Sequence, residues 1–217
     1  MTNFVNFDNA KETEEGYLVA AGEGALGVKD HALFSNYQLD EYKFAISKCT
    51  RFRRALDLGA NYGIMTLRMA ENFQTVEAFE PLFHEFLAHN TKNTGVNIHP
   101  YALGDEEKEV TMRVGLFNAG GSNVVADDND KYKELQTVEM KTLDSFKFTD
   151  VDFIKMDIEN HEWIAMQGAF ETMKQCNVFM IEINKDHKHK DEIHEYFKER
   201  GFKSEKFVRD TIFWKSK

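Results

Sequence analysis

A short motif in the first third of the chain constrains the fold most. An apolar segment, Arg54–Leu58, runs into a turn that carries Gly59 and Gly63 and leads into a helical pattern of apolar residues. The next apolar segment, Thr75–Phe79, ends at a lone carboxylate, Glu80. A strand, a glycine turn, a helix and an acidic strand end are together typical of an α/β domain that binds a nucleoside cofactor. The sequence therefore predicts such a site, with the carboxylate beside the ribose.

The turn differs from the dinucleotide-binding fingerprint, which has three glycines in the pattern G-x-G-x-x-G directly after the strand. Here the turn reads D-x-G-A-N-x-G, with Asp57 at its entrance. An acidic residue gives no advantage beside a pyrophosphate, but it favours a cofactor that carries a cationic amine and a sulfonium. S-adenosylmethionine is such a cofactor, and we expect it to bind here.

The apolar segments predict an α/β fold with a mostly parallel central sheet. Two β-α-β crossovers in series are expected, with Asn97–Leu103 as the third strand. Two more parallel strands are predicted at Val151–Asp157 and Val178–Ile183, with a helix from Trp163 to Met173 between them and another over Asp191–Arg200. Five parallel strands are therefore expected.

Other segments alternate polar and apolar residues at period two. Between Glu107 and Met140 this pattern predicts an antiparallel excursion inserted beside the main sheet. Lys203–Val208 and Thr211–Lys215 predict a C-terminal antiparallel hairpin. We expect one domain over residues 1–217, in which 1–50 form an N-terminal cap and 51–217 a Rossmann-like core.

Composition and charge narrow the function classes. The formal net charge of −10 disfavours binding to a nucleic-acid backbone, so we expect no nucleic-acid partner. No segment approaches the eighteen or so consecutive apolar residues of a membrane span, and the N-terminus lacks a signal-peptide pattern. We therefore expect a cytoplasmic protein without a membrane span; its oligomeric state is not indicated by the sequence.

Four segments resemble the FkbM family of S-adenosylmethionine-dependent methyltransferases, which has a Rossmann-like fold. In chain order they are Asp57–Gly63, Ala78–Pro81, Thr142–Asp144 and Ile154–Glu162. The sequence A-F-E-P followed by K-x-D-x-E-x-x-E is much more particular than the glycine turn. Asn160 stands where family members usually carry glycine, which predicts a differently shaped turn after the fourth strand.

The resemblance implies a set of cofactor contacts. The first turn would line the methionine end, the carboxylate after the second strand would accept hydrogen bonds from both ribose hydroxyls, and residues 101–103 would flank the adenine. The predicted cofactor-binding residues are Asp57, Gly59, Ala60, Asn61, Gly63, Glu80, Pro81, Tyr101, Ala102, Leu103 and Asp157.

The resemblance also implies an acceptor, because family members act mainly as O-methyltransferases on hydroxyls of sugars or natural products. Such a reaction requires the protein to align the acceptor and remove its proton. Asp157, at the end of a strand where open α/β sheets place ligands, is the leading candidate base. His161 could face the same crevice, and Lys155 is either catalytic or paired with a carboxylate.

Two other functions are compatible with the residues alone: an NAD-dependent oxidoreductase and a methyltransferase-like domain that binds without turnover. No spacing demands a metal ion, and we expect none. His187, His189 and His194 crowd the segment after the fifth strand, but lysines among them would repel a cation. These histidines are predicted to lie on a solvated surface.

Overall fold

The structure is a computed structural model, and it describes residues 7–13, 15–20, 36–114, 122–124 and 134–215. The strands, in chain order, are β1 (Lys11–Glu12), β2 (Leu18–Val19), β3 (Arg54–Leu58), β4 (Thr75–Phe79), β5 (Asn97–His99), β6 (Ala102–Leu103), β7 (Lys108–Val114), β8 (Asn123–Val124), β9 (Glu134–Lys141), β10 (Val151–Met156), β11 (Val178–Glu182), β12 (Lys203–Lys206) and β13 (Asp210–Trp214). The α-helices are α1 (Leu39–Ile46), α2 (Ile64–Asn72), α3 (His84–Thr91), α4 (Glu162–Gln167), α5 (Phe170–Met173) and α6 (Lys190–Glu199).

The central sheet has seven strands in the order β12-β13-β11-β10-β3-β4-β5. Its strands β11, β10, β3, β4 and β5 are parallel, and β13 runs antiparallel to both β11 and β12. The predicted five parallel strands with a closing antiparallel hairpin are confirmed. Because β3 has β4 on one side and β10 on the other, the strand order reverses at β3, where open α/β sheets bind ligands.

Both faces of the central strands are buried, which explains their nearly continuous apolar sequences. Successive side chains point to opposite faces, so Phe153 and Met180 join one apolar cluster while Ile154 and Phe179 join another. Burying each such side chain contributes about 1.5–3 kcal/mol to stability. The sheet is therefore a rigid base for residues at its strand ends.

A second sheet, ordered β6-β9-β7-β8, forms the predicted antiparallel excursion. β7 and β9 pair antiparallel from Lys108 opposite Met140 to Val114 opposite Glu134. The predicted third strand over Asn97–Leu103 is wrong in one respect, since β5 ends at His99 and β6 belongs to the second sheet. Pro100 lies between them, and a proline cannot donate the hydrogen bond that would continue a strand.

The predicted helix from Trp163 to Met173 is also wrong in part, because it is divided into α4 and α5 at Gly168 and Ala169. A Cβ atom on Gly168 would lie 2.1 Å from the carbonyl oxygen of Gly104. The Gly168 carbonyl in turn accepts a hydrogen bond of 3.0 Å from the backbone of Asp144. A tertiary contact with the second sheet thus ends α4 where the apolar pattern continues.

The N-terminal part of the chain includes a small antiparallel pair, β1 and β2, here called the N-terminal hairpin. The helix predicted near residues 40–48 is α1, which packs beside β11 and β13. Within the ranges described, no helix combines the length and the apolar character that crossing a membrane requires.

A buried ionic group joins the middle of β4 to β3 and β5. Glu77 is 4% exposed, and its Oε2 atom lies 2.9 Å from His99 Nε2 while Oε1 lies 3.3 Å from Arg54 Nε. Burial opposes the charge of Glu77, but His99 and Arg54 hold the pKa of this carboxyl below its ordinary value. The charged form therefore stabilises the fold.

This lowered pKa predicts a specific acid sensitivity. The stabilisation from Glu77 is complete above the unfolded-state pKa of about 4.3 and is lost as the pH falls through the lower pKa of the folded state. We therefore expect the urea midpoint to fall more steeply between pH 5 and pH 3 in the wild type than in Glu77→Gln. The exposed Glu205→Gln on β12 is the control and should follow the wild type; equal slopes for all three proteins would contradict the prediction.

Candidate active site

A cavity of about 300 Å³ opens at the carboxyl ends of β3, β4 and β10. It brings together most of the residues that the sequence predicts for the site. Those that line it are Gly59, Ala60, Asn61, Glu80, Pro81, Tyr101, Ala102, Leu103, Lys155, Asp157 and His161. Asp57 and Gly63 do not line it.

The turn after β3 is held against two neighbouring strands. Gly59 has a φ of 87°, in the left-handed region that favours glycine. The backbone N–H groups of Gly59 and Ala60 donate to the Phe79 carbonyl, at 3.0 and 2.9 Å. A Cβ atom on Gly59 would lie 1.9 Å from the carbonyl oxygen of Asp157, so the turn touches the end of β10 directly. Only glycine satisfies both constraints.

Glu80 is 7% exposed and is bound by backbone groups on three sides. Its Oε1 accepts hydrogen bonds from the N–H groups of Leu82 (2.8 Å) and Phe83 (3.0 Å), and its Oε2 accepts one from Asn61 (2.9 Å). Burial raises the pKa of Glu80, although these three donors favour the charged form. A carboxylate has about four acceptor positions, so roughly one remains for a ribose hydroxyl. To accept hydrogen bonds from both ribose hydroxyls, Glu80 would have to release one of its three backbone N–H donors.

The amide oxygen of Asn61 is a second feature that suits a bound cofactor. Asn61 lines the cavity, and its buried Oδ1 has no hydrogen-bond partner among the described residues. Asn61 also has a φ of 51°, a left-handed conformation that asparagine tolerates better than most residues. An unpartnered buried acceptor is costly, and a donor group on a bound ligand would relieve that cost. The residues present therefore suit a nucleoside cofactor.

Lys155 is a buried cation between two aspartates. Its Nζ donates to the Gly59 carbonyl at 3.0 Å and lies 3.5 Å from Asp57 Oδ1 and 3.6 Å from Asp157 Oδ2. Burial opposes its charge, but Asp157 and Asp57 raise the pKa of Lys155 above its ordinary value. Asp57 also accepts a hydrogen bond of 2.6 Å from the Thr66 hydroxyl. Lys155 therefore stays protonated and ties the turn to β10.

The acidic end of the cavity contains more carboxylates than cations. Among the described residues, Asp157, Glu159 and Glu182 offer carboxylate oxygens within 4.8 Å of one another, a group that could hold a metal ion. However, the Arg209 guanidinium already donates to Glu182, and Lys155 lies beside Asp157. The cationic groups of Arg209 and Lys155 thus already lie beside this cluster and balance negative charge that a metal ion would otherwise balance.

The same crowding changes proton affinities. Burial and, next, the negative charge of Asp157 raise the pKa of Glu159 to about 7. The same two causes and a hydrogen bond to Asp157 raise the pKa of Glu182 to about 9, against the opposing charge of Arg209. At neutral pH the cluster therefore carries at least one proton and can both donate and accept hydrogen bonds.

The segment after β10 makes a left-handed turn at two residues. Glu159 and Asn160 have φ values of 55° and 70°. Asparagine adopts the left-handed region more readily than most residues. Strain at Glu159 is compatible with a functional position, because such conformations cluster at active sites.

A buried pair beneath this turn corrects the prediction for His187, which is 4% exposed and not on a solvated surface. Its Nδ1 accepts a hydrogen bond from the backbone of His189 at 3.1 Å, so the proton lies on Nε2, which donates to Glu162 at 2.8 Å. Glu162 accepts a second hydrogen bond, of 2.9 Å, from the Ile158 backbone. The pair therefore anchors the turn that follows Asp157.

His161 also lies in the cavity wall, at the N-terminus of α4. Its Nε2 is buried without a hydrogen-bond partner among the described residues, and burial lowers the pKa of the imidazole. A neutral imidazole is the form that can accept a proton.

Sequence reasoning missed several lining residues. Tyr37 precedes α1, Arg209 lies in the turn of the C-terminal hairpin, and Met112 and Val124 come from the second sheet. Their segments carry no ligand motif, and only the folding of distant segments brings them to the cavity. Burial raises the pKa of Tyr37, so its phenol stays protonated as a hydrogen-bond donor.

Comparison with protein-family models identifies a family for this chain. A family model described as the methyltransferase FkbM domain matches residues 57–204. The match contains the glycine turn, Glu80 and the whole segment from Lys155 to Glu162. A search of curated proteins found no match.

Solved structures with the same fold are distant in sequence. An rRNA methylase from Streptococcus thermophilus is 11% identical with a TM-score of 0.50, covering 82% of this chain and 95% of that chain. The methyltransferase domain of METTL16 is 10% identical with a TM-score of 0.50, covering 95% of this chain and 86% of that chain. At these identities the likeness shows the fold alone.

The contact between Gly59 and Asp157 can be tested through stability. Gly59→Ala places a Cβ atom 1.9 Å from a backbone oxygen, and neither strand end can move without breaking the central sheet. We expect a loss of at least about 3 kcal/mol in the free energy of unfolding, or failure to fold.

Gly95→Ala is the matched control, because Gly95 also has a left-handed φ, of 71°, but no atom within 4 Å of its Cβ position. It should lose about 1 kcal/mol, which reflects the backbone conformation alone. Equal losses for the two variants in urea unfolding would show that the close contact is unimportant.

Proposed function

The chain belongs to the methyltransferase FkbM family, and we propose that this S-adenosylmethionine-dependent methyltransferase methylates a hydroxyl of a saccharide or another small natural product. The observation that carries the proposal is the chemistry of the acidic end of the cavity. Asp157 and Glu159 line the same cavity as Gly59 and Glu80. Family membership also favours S-adenosylmethionine over NAD as the cofactor.

The donor half consists of the turn after β3 and the end of β4. Glu80 would accept a ribose hydroxyl at its remaining position, and Asn61 would offer its free amide oxygen. Tyr101, Ala102 and Leu103 would flank the adenine. When bound, S-adenosylmethionine supplies a methyl group that its sulfonium has already activated.

Among the residues that the structure describes, the acceptor half has carboxylates, a protonated phenol and no excess of cations. Glu159 has a pKa near 7, so it can donate or accept a hydrogen bond, and Tyr37 can donate one. Such groups suit a compound with several hydroxyls. They repel a phosphate chain, and the net charge of −10 acts in the same direction. We therefore favour a saccharide-like acceptor over a nucleic acid.

The acceptor hydroxyl must lose its proton as its oxygen bonds to the methyl carbon. Asp157 is the proposed base, because its carboxylate lies in the cavity wall, where its Oδ2 atom is 3.6 Å from Lys155 Nζ. His161 is the alternative base, since its imidazole is neutral at physiological pH and lines the same wall.

The ribose assignment predicts a loss of donor affinity on changing Glu80. Glu80→Gln removes the charge and should weaken binding of S-adenosylhomocysteine by roughly 10- to 100-fold, as expected for loss of a charge-assisted hydrogen bond. Isothermal titration calorimetry measures this. Glu77→Gln is the control and should bind like the wild type, because Glu77 is a buried carboxylate of β4 that lies outside the cavity. Unchanged affinity in Glu80→Gln would contradict the assignment.

The acceptor assignment is tested by transfer of a radiolabelled methyl group to monosaccharides, oligosaccharides, phenolic natural products and short RNA. We expect label in a hydroxyl compound and none in RNA. With the labelled acceptor, Asp157→Asn should lower kcat by about 10²-fold or more, while His161→Gln lowers it less.

Labelling of RNA would overturn the acceptor class. A larger loss of kcat in His161→Gln than in Asp157→Asn would make His161 the base in place of Asp157. Binding of S-adenosylhomocysteine without labelling of any acceptor would favour a domain that binds without turnover.

A further inference from the structure

The side-chain amide of Asn90, on the inner side of α3, joins three separate segments. Its Oδ1 accepts a hydrogen bond of 2.7 Å from the Leu18 backbone N–H. Its Nδ2 donates to the Leu18 carbonyl at 3.0 Å and to the Tyr62 carbonyl at 2.8 Å. One amide therefore binds both backbone groups of Leu18, its N–H and its carbonyl, and also holds the turn that follows β3.

Tyr62 is the link to the donor site. It lies between Asn61 and Gly63 in the turn and is 1% exposed. Its ring packs on Phe83 and Phe86 with centroid distances of 5.2 and 5.6 Å. Its hydroxyl accepts a hydrogen bond of 3.3 Å from the Ala20 backbone. The hairpin thus contacts the turn directly through Tyr62 and indirectly through Asn90.

The position of α3 relative to the turn also decides the geometry at Glu80. The segment that contains Glu80 leads into α3, and Glu80 accepts a hydrogen bond from the Asn61 N–H at 2.9 Å. Gly63 allows the close approach, since a Cβ atom there would lie 2.8 Å from the Leu87 side chain. Asn90 is one helical turn beyond Leu87 and completes the contact between helix and turn.

We propose that Asn90 is a positioning residue for the methyl donor and that it makes the N-terminal hairpin part of the donor site. The proposal rests on the use of S-adenosylmethionine and is independent of the acceptor. Asn90 acts through the Tyr62 carbonyl, which fixes the turn carrying Asn61, and through Leu18, which fixes the hairpin over the same turn. Neither Asn90 nor Leu18 lines the cavity.

The hydrogen bonds of the Asn90 side chain require an amide and exclude the corresponding carboxylate. Asn90→Asp keeps an oxygen for the Leu18 N–H but loses both donated hydrogen bonds. It also places a carboxylate oxygen against the Tyr62 carbonyl, at the position where a donor now lies 2.8 Å away. Repulsion there should displace the turn, and small displacements of this kind reduce ligand affinity strongly.

Titration of the 217-residue chain with S-adenosylhomocysteine tests the proposal. Asn90→Asp should weaken binding by about tenfold or more. Asn72→Asp is the matched control, because Asn72 also donates from a helix, to the Arg68 carbonyl (2.8 Å) and the Tyr42 hydroxyl (3.2 Å), outside the cavity. It should bind like the wild type. Equal affinity of Asn90→Asp and the wild type would overturn the proposal.

Hydrogen–deuterium exchange separates positioning from general stability and uses the wild type first. S-adenosylhomocysteine should slow exchange both in residues 59–63 and in residues 15–20, although the latter do not line the cavity. In Asn90→Asp at saturating ligand, protection of 15–20 should be lost while that of 59–63 is retained. If the ligand protects only 59–63 in the wild type, the hairpin is not part of the donor site, even where Asn90→Asp fails to fold.

Discussion

A single buried ammonium group, that of Lys155, holds the two central strand ends together. It binds the Gly59 carbonyl and lies between Asp57 and Asp157, so that the ends of β3 and β10 share one cation. A buried charge is tolerated only with such partners, and removing the cation would leave two aspartates facing each other. Gly59 lies directly against Asp157 because it has no side chain. This contact shapes the turn that we propose as the donor half of the site.

The two halves of the cavity differ in what they offer a ligand. The donor half presents backbone-held groups, because Glu80 is bound by three N–H donors before any ligand arrives. The proposed acceptor half presents a carboxyl whose proton can move, since Glu159 and, beside it, Glu182 bind protons more tightly than isolated carboxylates do. Prearranged groups suit a constant cofactor, whereas groups with shared protons suit an acceptor that loses a proton.

Much of the fold follows from local patterns. Strands β3 and β4 have the predicted bounds, because both are short, mostly apolar segments followed by a clear turn. The helix predicted from Trp163 to Met173 is divided at Gly168, whose neighbour in space, Gly104, is 64 residues away in the chain. His187 is likewise buried by its hydrogen bond to Glu162. Lysines beside His187 in the sequence predict an exposed side chain. That prediction is wrong because local composition carries no information about a distant partner.

The sequence by itself determined the family, the five parallel strands with their closing hairpin and the positions of Gly59, Glu80 and Asp157 at strand ends, because each follows from short-range patterns along strand, turn and helix. The tertiary structure decided which groups surround them. Tyr37 and Arg209 reach the cavity from segments without a motif, and Asn90 joins the N-terminal hairpin to the donor turn. Those contacts join residues far apart in the chain, and their geometry depends on how whole strands and helices pack.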